Sequence, residues 1–167
     1  MRSTGEVLGL ASTVGEAFLK AQEATQTVIP SRGTVLMSIS NRDKAEVGKV
    51  AQEFIDAGFT IVATKGTAKL LNDLGISATS INKLGEGRPN ILDALANSEI
   101  DIVVNTPASS AESHDDDSYI RKSAIKNHIP YITTMAAAFV TAMGVKESKE
   151  KQGSGVRSLQ EIHATIK

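Results

Sequence analysis

Three lysines each follow a segment with the pattern of a buried strand. Lys44 comes after "TVLMSIS", Lys65 after "FTIVAT" and Lys83 after "ISATSIN". In the stretch "TIVATKGTAKLL" the strand pattern changes to a helical pattern around Gly66 and Thr67. The backbone N–H groups at a helix N-terminus and nearby ammonium groups both attract anions. These residue types predict an oxyanion site, and phosphate is the anion that we expect.

Neutral hydrogen-bonding groups follow the predicted strands as well. The carboxyl ends of parallel strands share one edge of a sheet, where ligands of open α/β sheets bind. Almost no carboxylates stand near the first three strand ends, which favours an anionic ligand. The polar residues at the strand ends are, in chain order, Ser38, Ser40, Asn41 and Lys44; Thr64, Lys65, Gly66 and Thr67; Asn82 and Lys83; Asn105, Thr106, Ser109 and Ser110; and Thr133 and Thr134.

A purely structural interpretation of the second turn stays open at this point. A glycine and a threonine before a helix also commonly serve only to end the preceding segment and to cap the helix. Lys65 would then be a solvated side chain. The combination of the three lysines favours the anion site over this alternative.

The elements that position these residues alternate regularly from position 33 onward. Apolar periodicity predicts helices over 43–57, 67–74, 90–96, 119–127, 135–145 and 158–166, and strands over 34–40, 59–64, 76–82, 100–105 and 129–134. Polar loops are expected over 106–117 and 146–155. Alternation with short connections predicts an α/β fold, a doubly wound, Rossmann-like five-stranded parallel sheet with helices on both faces. A further helix with Thr13 as its cap precedes this unit.

Composition excludes several classes of function. The chain has 167 residues, a formal net charge of -1, 4% aromatic residues and no cysteine. We therefore expect no nucleic-acid partner, no membrane partner, no disulfide and no thiolate chemistry. His114, His128 and His163 lack the spacing of metal ligands, so no metal site is expected. "HDDD" at 114–117 is interpreted as a helix N-cap. A cytoplasmic location is the default expectation.

Several motifs, occurring in order, resemble one family. "ATKGTAKLL", "INKLGEGRPNILD", "IDIVVNTP", "IRKSAIKNHIPYITT" and "AAAFVTAM" are similar to the methylglyoxal-synthase-like (MGS-like) domain over about 33–145. "STGEVLG", "VGEAFLKAQ" and "SLQEIHATIK" resemble the branch that forms the C-terminal allosteric domain of bacterial carbamoyl-phosphate synthase large subunits. This resemblance implies that 1–32 are the tail of a preceding ATP-grasp synthetase domain plus a linker helix, and that 33–167 are the allosteric domain.

The resemblance also implies a function. Domains of this branch bind UMP or IMP and control the synthesis of carbamoyl phosphate for pyrimidines and arginine. The isolated chain is then expected to be non-catalytic and without a cofactor, while ATP and Mg²⁺ belong to the synthetase domains of the ligase. The implied partners are the rest of the large subunit and the glutaminase small subunit, and a homo-oligomer is allowed.

The family's pocket positions match residues of this chain. Tyr131 and Thr134 match positions linked to ornithine in some members, at a site that needs the adjoining domain. Lys65 stands where a smaller residue or histidine is common, and Pro107 with Ser109 and Ser110 replaces the usual Thr and Gly. The positions matched to the nucleotide pocket are Ser38, Lys44, Thr64, Lys65, Gly66, Thr67, Asn82, Lys83, Asn105 and Thr106.

Two alternative functions stay open. A stand-alone methylglyoxal synthase needs a carboxylate base beside the phosphate site, and Glu86 is the only acid in the loop "NKLGEGRPN" where that base belongs. In the same loop, Arg88 would contact a ligand or pair with acids of a neighbouring helix. The other alternative is an oligomerisation domain with a vestigial pocket.

Overall fold

The computed structural model describes residues 5–107, 111–150 and 158–166, with the side chains of 111–115 left out of the description. Strands and helices alternate along the middle of the chain, as predicted. The strands are β1 Gly33–Ser38, β2 Phe59–Thr64, β3 Thr79–Ile81, β4 Ile102–Asn105 and β5 Tyr131–Ile132, and the helices are α1 Val14–Ala24, α2 Lys44–Asp56, α3 Lys65–Asp73, α4 Ile91–Ala96, α5 Ala111–Lys126, α6 Met135–Glu150 and α7 Leu159–His163.

The strands form one parallel sheet in the order β3-β2-β1-β4-β5. Val35 in β1 lies opposite Ile61 in β2 and Ile102 in β4. The chain moves outward from β1 to β3 and then returns to the other side of β1, so the strand order reverses between β1 and β4. In doubly wound sheets such a reversal opens a crevice at the carboxyl ends of the two strands.

Apolar residues cover both faces of the sheet. Val35 and Met37 pack with residues of α2, α3 and α6 on one face. Leu36 and Val103 pack with residues of α4 and α5 on the other face. All four residues of β4 are buried, because a parallel strand covered on both sides needs apolar side chains in succession. The predicted fold class is confirmed.

The structure corrects three predicted boundaries. Helix α3 begins at Lys65 instead of 67, with Thr64 as its N-cap. Helix α5 begins at Ala111, so "HDDD" lies inside a helix and is not its N-cap. Helix α6 continues to Glu150 through part of the predicted loop. The added turns of α5 and α6 are rich in polar residues. A helical turn that faces solvent has the same composition as a loop, so the sequence pattern did not reveal these turns. Ser109 and Ser110 lie outside the described residues.

Helix α1 crosses α6 at a pair of glycines. A Cβ on Gly15 would lie 2.8 Å from the backbone nitrogen of Gly144, and one on Gly144 would lie 2.5 Å from the carbonyl oxygen of Gly15. Thr13 caps α1 as predicted, accepting from the backbone N–H of Glu16, and its hydroxyl donates to Glu147 in α6 at 2.6 Å. The helix that we assigned to a linker therefore packs directly on α6.

Within the ranges given above, no helix is both long and apolar enough to cross a bilayer.

The glycine crossing predicts the effect of added methyl groups. Gly15→Ala should lower the free energy of unfolding by about 1–3 kcal/mol, because the new methyl group overlaps the α6 backbone. Gly48→Ala in α2 is the matched control, since its Cβ would meet only the ends of flexible side chains, the Leu74 methyl group at 3.0 Å and the Ile76 methyl group at 3.7 Å. That change should be neutral or slightly stabilising. Urea denaturation measures both changes, and equal stability of Gly15→Ala and wild type would contradict the close packing.

Candidate functional site

A recess of about 40 Å³ lies between the carboxyl ends of β1 and β4 and the side of α5. Its position is the place where the strand order reverses, and Ser38 lies opposite Asn105 in the β1–β4 pairing. Three of the residues matched to the nucleotide pocket, Ser38, Lys83 and Thr106, line this recess. The recess is lined by Ser38, Ile39, Ser40, Lys83, Thr106, Asp116, Asp117 and Ile120.

A chain of hydrogen bonds fixes the floor of this recess. The hydroxyl of Thr106 accepts from the backbone N–H of Ser40 at 2.8 Å and donates to the Ser40 hydroxyl at 3.2 Å. That hydroxyl donates in turn to the Asp43 carboxylate at 2.7 Å. The bond from Ser40 is the main reason why the pKa of Asp43 lies below its usual value. Thr106 therefore joins the ends of β1 and β4, and Asp43 is a carboxylate that we did not expect beside the first strand.

The N-terminus of α3 lies at the end of β2, next to β1. Thr64 and Thr67 are buried and bonded to each other through their hydroxyls at 3.3 Å, and Thr64 makes no capping bond to the helix. A Cβ on Gly66 would lie 3.6 Å from the ammonium nitrogen of Lys44. Among the described residues, Lys44 has no ion-pair partner. The first turn of α3 thus combines uncapped amides, a small residue and a free positive charge.

Lys65 is engaged elsewhere. Its ammonium nitrogen lies 3.2 Å from a carboxylate oxygen of Glu86, and both side chains are largely exposed. The same oxygen accepts from the backbone N–H of Lys83 at 3.2 Å. This backbone bond, followed by the bond from Lys65, lowers the pKa of Glu86. The structure contradicts the prediction that almost no carboxylates stand near the first three strand ends.

The loop after β3 is held by its own side chains. The amide nitrogen of Asn82 donates to the carbonyl oxygen of Pro89 at 3.0 Å. Arg88 donates to Asp93 in α4 at 3.1 Å, which is one of the two roles that we considered for Arg88. Asn90 and Asp93 form the predicted capping box of α4. The Asn82 amide nitrogen therefore shapes this loop.

Asn105 connects the recess to the edge of the sheet. It is fully buried, and its amide nitrogen donates to Asp117 at 2.9 Å and to the Tyr131 hydroxyl at 2.7 Å. Burial is the main reason why the pKa of Tyr131 is raised. The Thr134 hydroxyl accepts from the backbone N–H of Ala137 in the first turn of α6. Of the two residues matched to an ornithine site, Tyr131 thus supports Asn105 and Thr134 caps a helix.

A larger cleft of about 600 Å³ lies on the outer side of Tyr131. It is open to solvent and separates α1 and the following segment from β5. Its walls include Phe18, Val28, Ile125, Tyr131 and Thr133. Tyr131 thus borders this cleft and also contacts Asn105 beside the recess.

Asp116 and Asp117 are site residues that the sequence interpretation missed. They were assigned to a helix cap, whereas the early start of α5 turns both towards the recess. The signal was present in their spacing from Ile120 and Ala124, which pack on the sheet. Within the described part of the chain, no group of three or more His, Cys, Asp or Glu side chains is arranged to hold a metal ion.

Comparison with known proteins places this geometry in a family. A family model described as "MGS-like domain" matches residues 46–133, a range that includes β4 and α5 beside the recess and leaves out β1. The chain belongs to the MGS-like domain family. Its resemblance to that family, inferred above from the motifs, is confirmed.

The relatives of this MGS-like domain extend the match to nearly the whole chain. The carbamoyl phosphate synthase large chain of Acidobacterium capsulatum is 46% identical over 164 residues, covering 98% of this chain and 15% of that protein. The C-terminal section of the same large chain from Aquifex aeolicus is 40% identical over 167 residues, covering 98% of this chain and 31% of that protein. The chain thus spans a small part of the length of these relatives.

A solved structure supports the fold. The crystal structure of methylglyoxal synthase from Elizabethkingia anophelis aligns with a TM-score of 0.54 at 17% identity, covering 78% of this chain and 96% of that chain. At this level of identity the match concerns the fold alone.

The contacts of Glu86 predict a pKa response. In Lys65→Met the pKa of Glu86 should rise but stay below its usual value, because the larger contribution comes from the backbone N–H of Lys83. A lowered pKa stabilises the fold at pH values above the unfolded pKa, and this effect is lost as pH falls through the folded pKa. Carbon-13 NMR of the carboxyl groups measures the shift. Asp93 is the internal control, and an unchanged Glu86 pKa would contradict the ion pair.

Proposed function

We propose that this MGS-like domain binds a nucleoside monophosphate of the UMP and IMP class as an allosteric ligand. The observation that carries the proposal is the Lys44 ammonium group, which lies next to Gly66 over the first turn of α3. Thr64 leaves that turn without a side-chain cap, so its amides are free to donate to phosphate oxygens. Ser38, Thr67 and Lys83 lie at the neighbouring strand ends and complete the proposed pocket.

Magnitudes favour Lys44 over Lys65 as the phosphate ligand. An ammonium group about 4 Å from a phosphate charge contributes about 1–4 kcal/mol, depending on exposure, and a helix N-terminus adds about 0.3–1 kcal/mol. Lys65 would have to give up its bond to Glu86 to bind the ligand. Its contribution therefore includes the loss of an existing ion pair and should be small.

The relatives supply the biological setting of the proposal. We propose that the chain functions within a carbamoyl phosphate synthase large subunit and controls the synthesis of carbamoyl phosphate for pyrimidines and arginine. The ATP- and Mg²⁺-dependent steps then take place in the synthetase domains, and glutamine is hydrolysed by the small subunit. Tyr131 and Thr134 would take part in an ornithine site only together with the adjoining synthetase domain.

The position of Glu86 argues against methylglyoxal synthesis. Its carboxylate accepts from Lys83 and Lys65, and its lowered pKa makes it a weaker base than an ordinary glutamate. Asp116 and Asp117, which line the recess, are the carboxylates that a catalytic test must address. Dihydroxyacetone phosphate therefore belongs among the ligands and substrates tested.

Calorimetry with UMP, IMP and dihydroxyacetone phosphate tests the proposal on the chain described here. We expect UMP or IMP to bind, and Lys44→Ala to weaken that binding by about tenfold or more because a phosphate charge loses its partner. Lys65→Ala should change it by less than about threefold, as expected for an exposed, already paired lysine. Affinity should fall as salt is added, since the contacts are ionic.

Lys126→Ala, at the exposed end of α5, controls for the loss of one positive charge and should leave the affinity unchanged. Equal losses in Lys44→Ala and Lys126→Ala would mean that only the overall charge matters and would contradict the assigned pocket. Formation of methylglyoxal from dihydroxyacetone phosphate would overturn the regulatory assignment. The absence of any response to UMP and IMP would overturn nucleotide binding by this domain.

A further inference from the structure

Two buried hydrogen-bond acceptors beside the recess lack partners. They are Oδ1 of Asn105 and Oδ2 of Asp117, and neither atom has a hydrogen-bond partner among the described residues. The other polar atoms of the same groups are paired, since the Asn105 amide nitrogen donates to Oδ1 of Asp117 at 2.9 Å and to Tyr131. These bonds fix both side chains and leave one acceptor oxygen on each of them without a donor.

Unpaired buried acceptors are rare because each has lost its contact with water without gaining a donor. The Asn105 side chain cannot relieve this by flipping, since its present orientation already makes both donor bonds. The missing donor is either a water molecule or a polar group of a ligand that enters the recess. Asp117 lines that recess, so its free oxygen is the first acceptor that such a molecule meets.

Charge decides which end of a nucleotide can enter. Asp116, Asp117 and Lys83 line the recess, so two carboxylates face one ammonium group there. The recess is therefore less favourable for a phosphate group than the first turn of α3, where Lys44 has no carboxylate partner among the described residues. Lys44 and the uncapped turn of α3 lie at the end of β2, whereas the recess lies between β1 and β4. Neighbouring strands are about 4.8 Å apart, so the anion-binding part of the site and the recess with its two carboxylates are separated by one or two strand spacings. A ligand with its phosphate over α3 places the adjoining part of the molecule in the recess.

The volume of the recess indicates that the sugar is the part of the nucleotide that enters it. The recess measures about 40 Å³, while one water molecule needs about 10–15 Å³ of such space. It therefore has room for about three water-sized groups, such as the hydroxyl groups of a sugar, and is too small for a pyrimidine or purine ring. The sugar directly follows the phosphate in a nucleoside monophosphate, and its hydroxyl groups are neutral donors.

We propose that Asp117, supported by Asn105, is a specificity-determining residue that accepts hydrogen bonds from the ribose hydroxyl groups of the bound nucleotide. This inference rests on the proposed function and extends it from the phosphate to the sugar. The acidic recess selects a ribonucleotide over a deoxyribonucleotide, and it also sets the direction in which the nucleotide lies across the strand ends.

The test compares ribonucleotides with analogues that lack one hydroxyl group. UMP and IMP, their 2′-deoxy and 3′-deoxy forms, and inorganic phosphate are titrated into the chain by calorimetry. At least one deoxy form of the nucleotide that binds should be weaker by about tenfold or more, the effect of losing a hydrogen bond to a charged acceptor. In Asp117→Ala the ratio of the dissociation constants of the deoxy form and the ribonucleotide should fall to about one. Inorganic phosphate should bind to this variant as well as to the wild type or better, because a like charge is removed.

Glu99→Ala, an exposed acid beyond the opposite end of β4, is the matched control and should keep the wild-type ratio. Thermal unfolding shows whether each variant is folded. If Asp117→Ala does not fold, the comparison of ribo- and deoxynucleotide binding by the wild type is the deciding measurement. Equal binding of ribo- and deoxynucleotides by the wild type, or an undiminished ratio in Asp117→Ala, overturns the role of Asp117 while leaving the proposed function intact. Failure of all nucleotides to bind overturns both.

Discussion

Burial of a parallel sheet on both faces is the constraint on which this structure depends. The central strands β1 and β4 must present apolar side chains to two helical layers, as Leu36 and Met37 do in succession. In these strands the buried polar residues therefore lie at the carboxyl ends, where the backbone leaves the core. Because the order reverses between β1 and β4, their two ends diverge, and Ser38 and Thr106 border a recess instead of a packed turn.

Charge is distributed unevenly along this edge. Lys44 lies beside the N-terminus of α3, whereas Asp116 and Asp117 project from the second turn of α5. Lys65, the most conspicuous lysine in the sequence, is paired with Glu86 outside this arrangement. An anion therefore finds one favourable end and one unfavourable end, and a ligand that combines a phosphate with neutral donors matches both ends of the site.

Contacts of Asn105 and Gly15 connect the region of the pocket with the edge strand β5 and with α1. Asn105 bonds Tyr131, which also borders the outer cleft, so a change at Asn105 reaches the edge strand through one hydrogen bond. The glycine crossing holds α1 against α6 without intervening side chains. Under the proposed allosteric function, these contacts are the places where a ligand would favour one arrangement of neighbouring parts over another.

The sequence by itself determined the fold class, most helices and strands, the family and the edge that carries the polar residues, because apolar periodicity and strand-end chemistry are local properties. It placed Gly66 and Thr67 at the turn after the second strand and Lys44 after the first strand, and the tertiary structure brings the Lys44 ammonium group beside Gly66. Only the tertiary structure decided that Glu86 neutralises Lys65 and that Asp117 faces Asn105. Those outcomes depend on which helix turn comes to lie beside which strand end. A polar helical turn such as the start of α5 has the composition of a loop until the sheet packs against it.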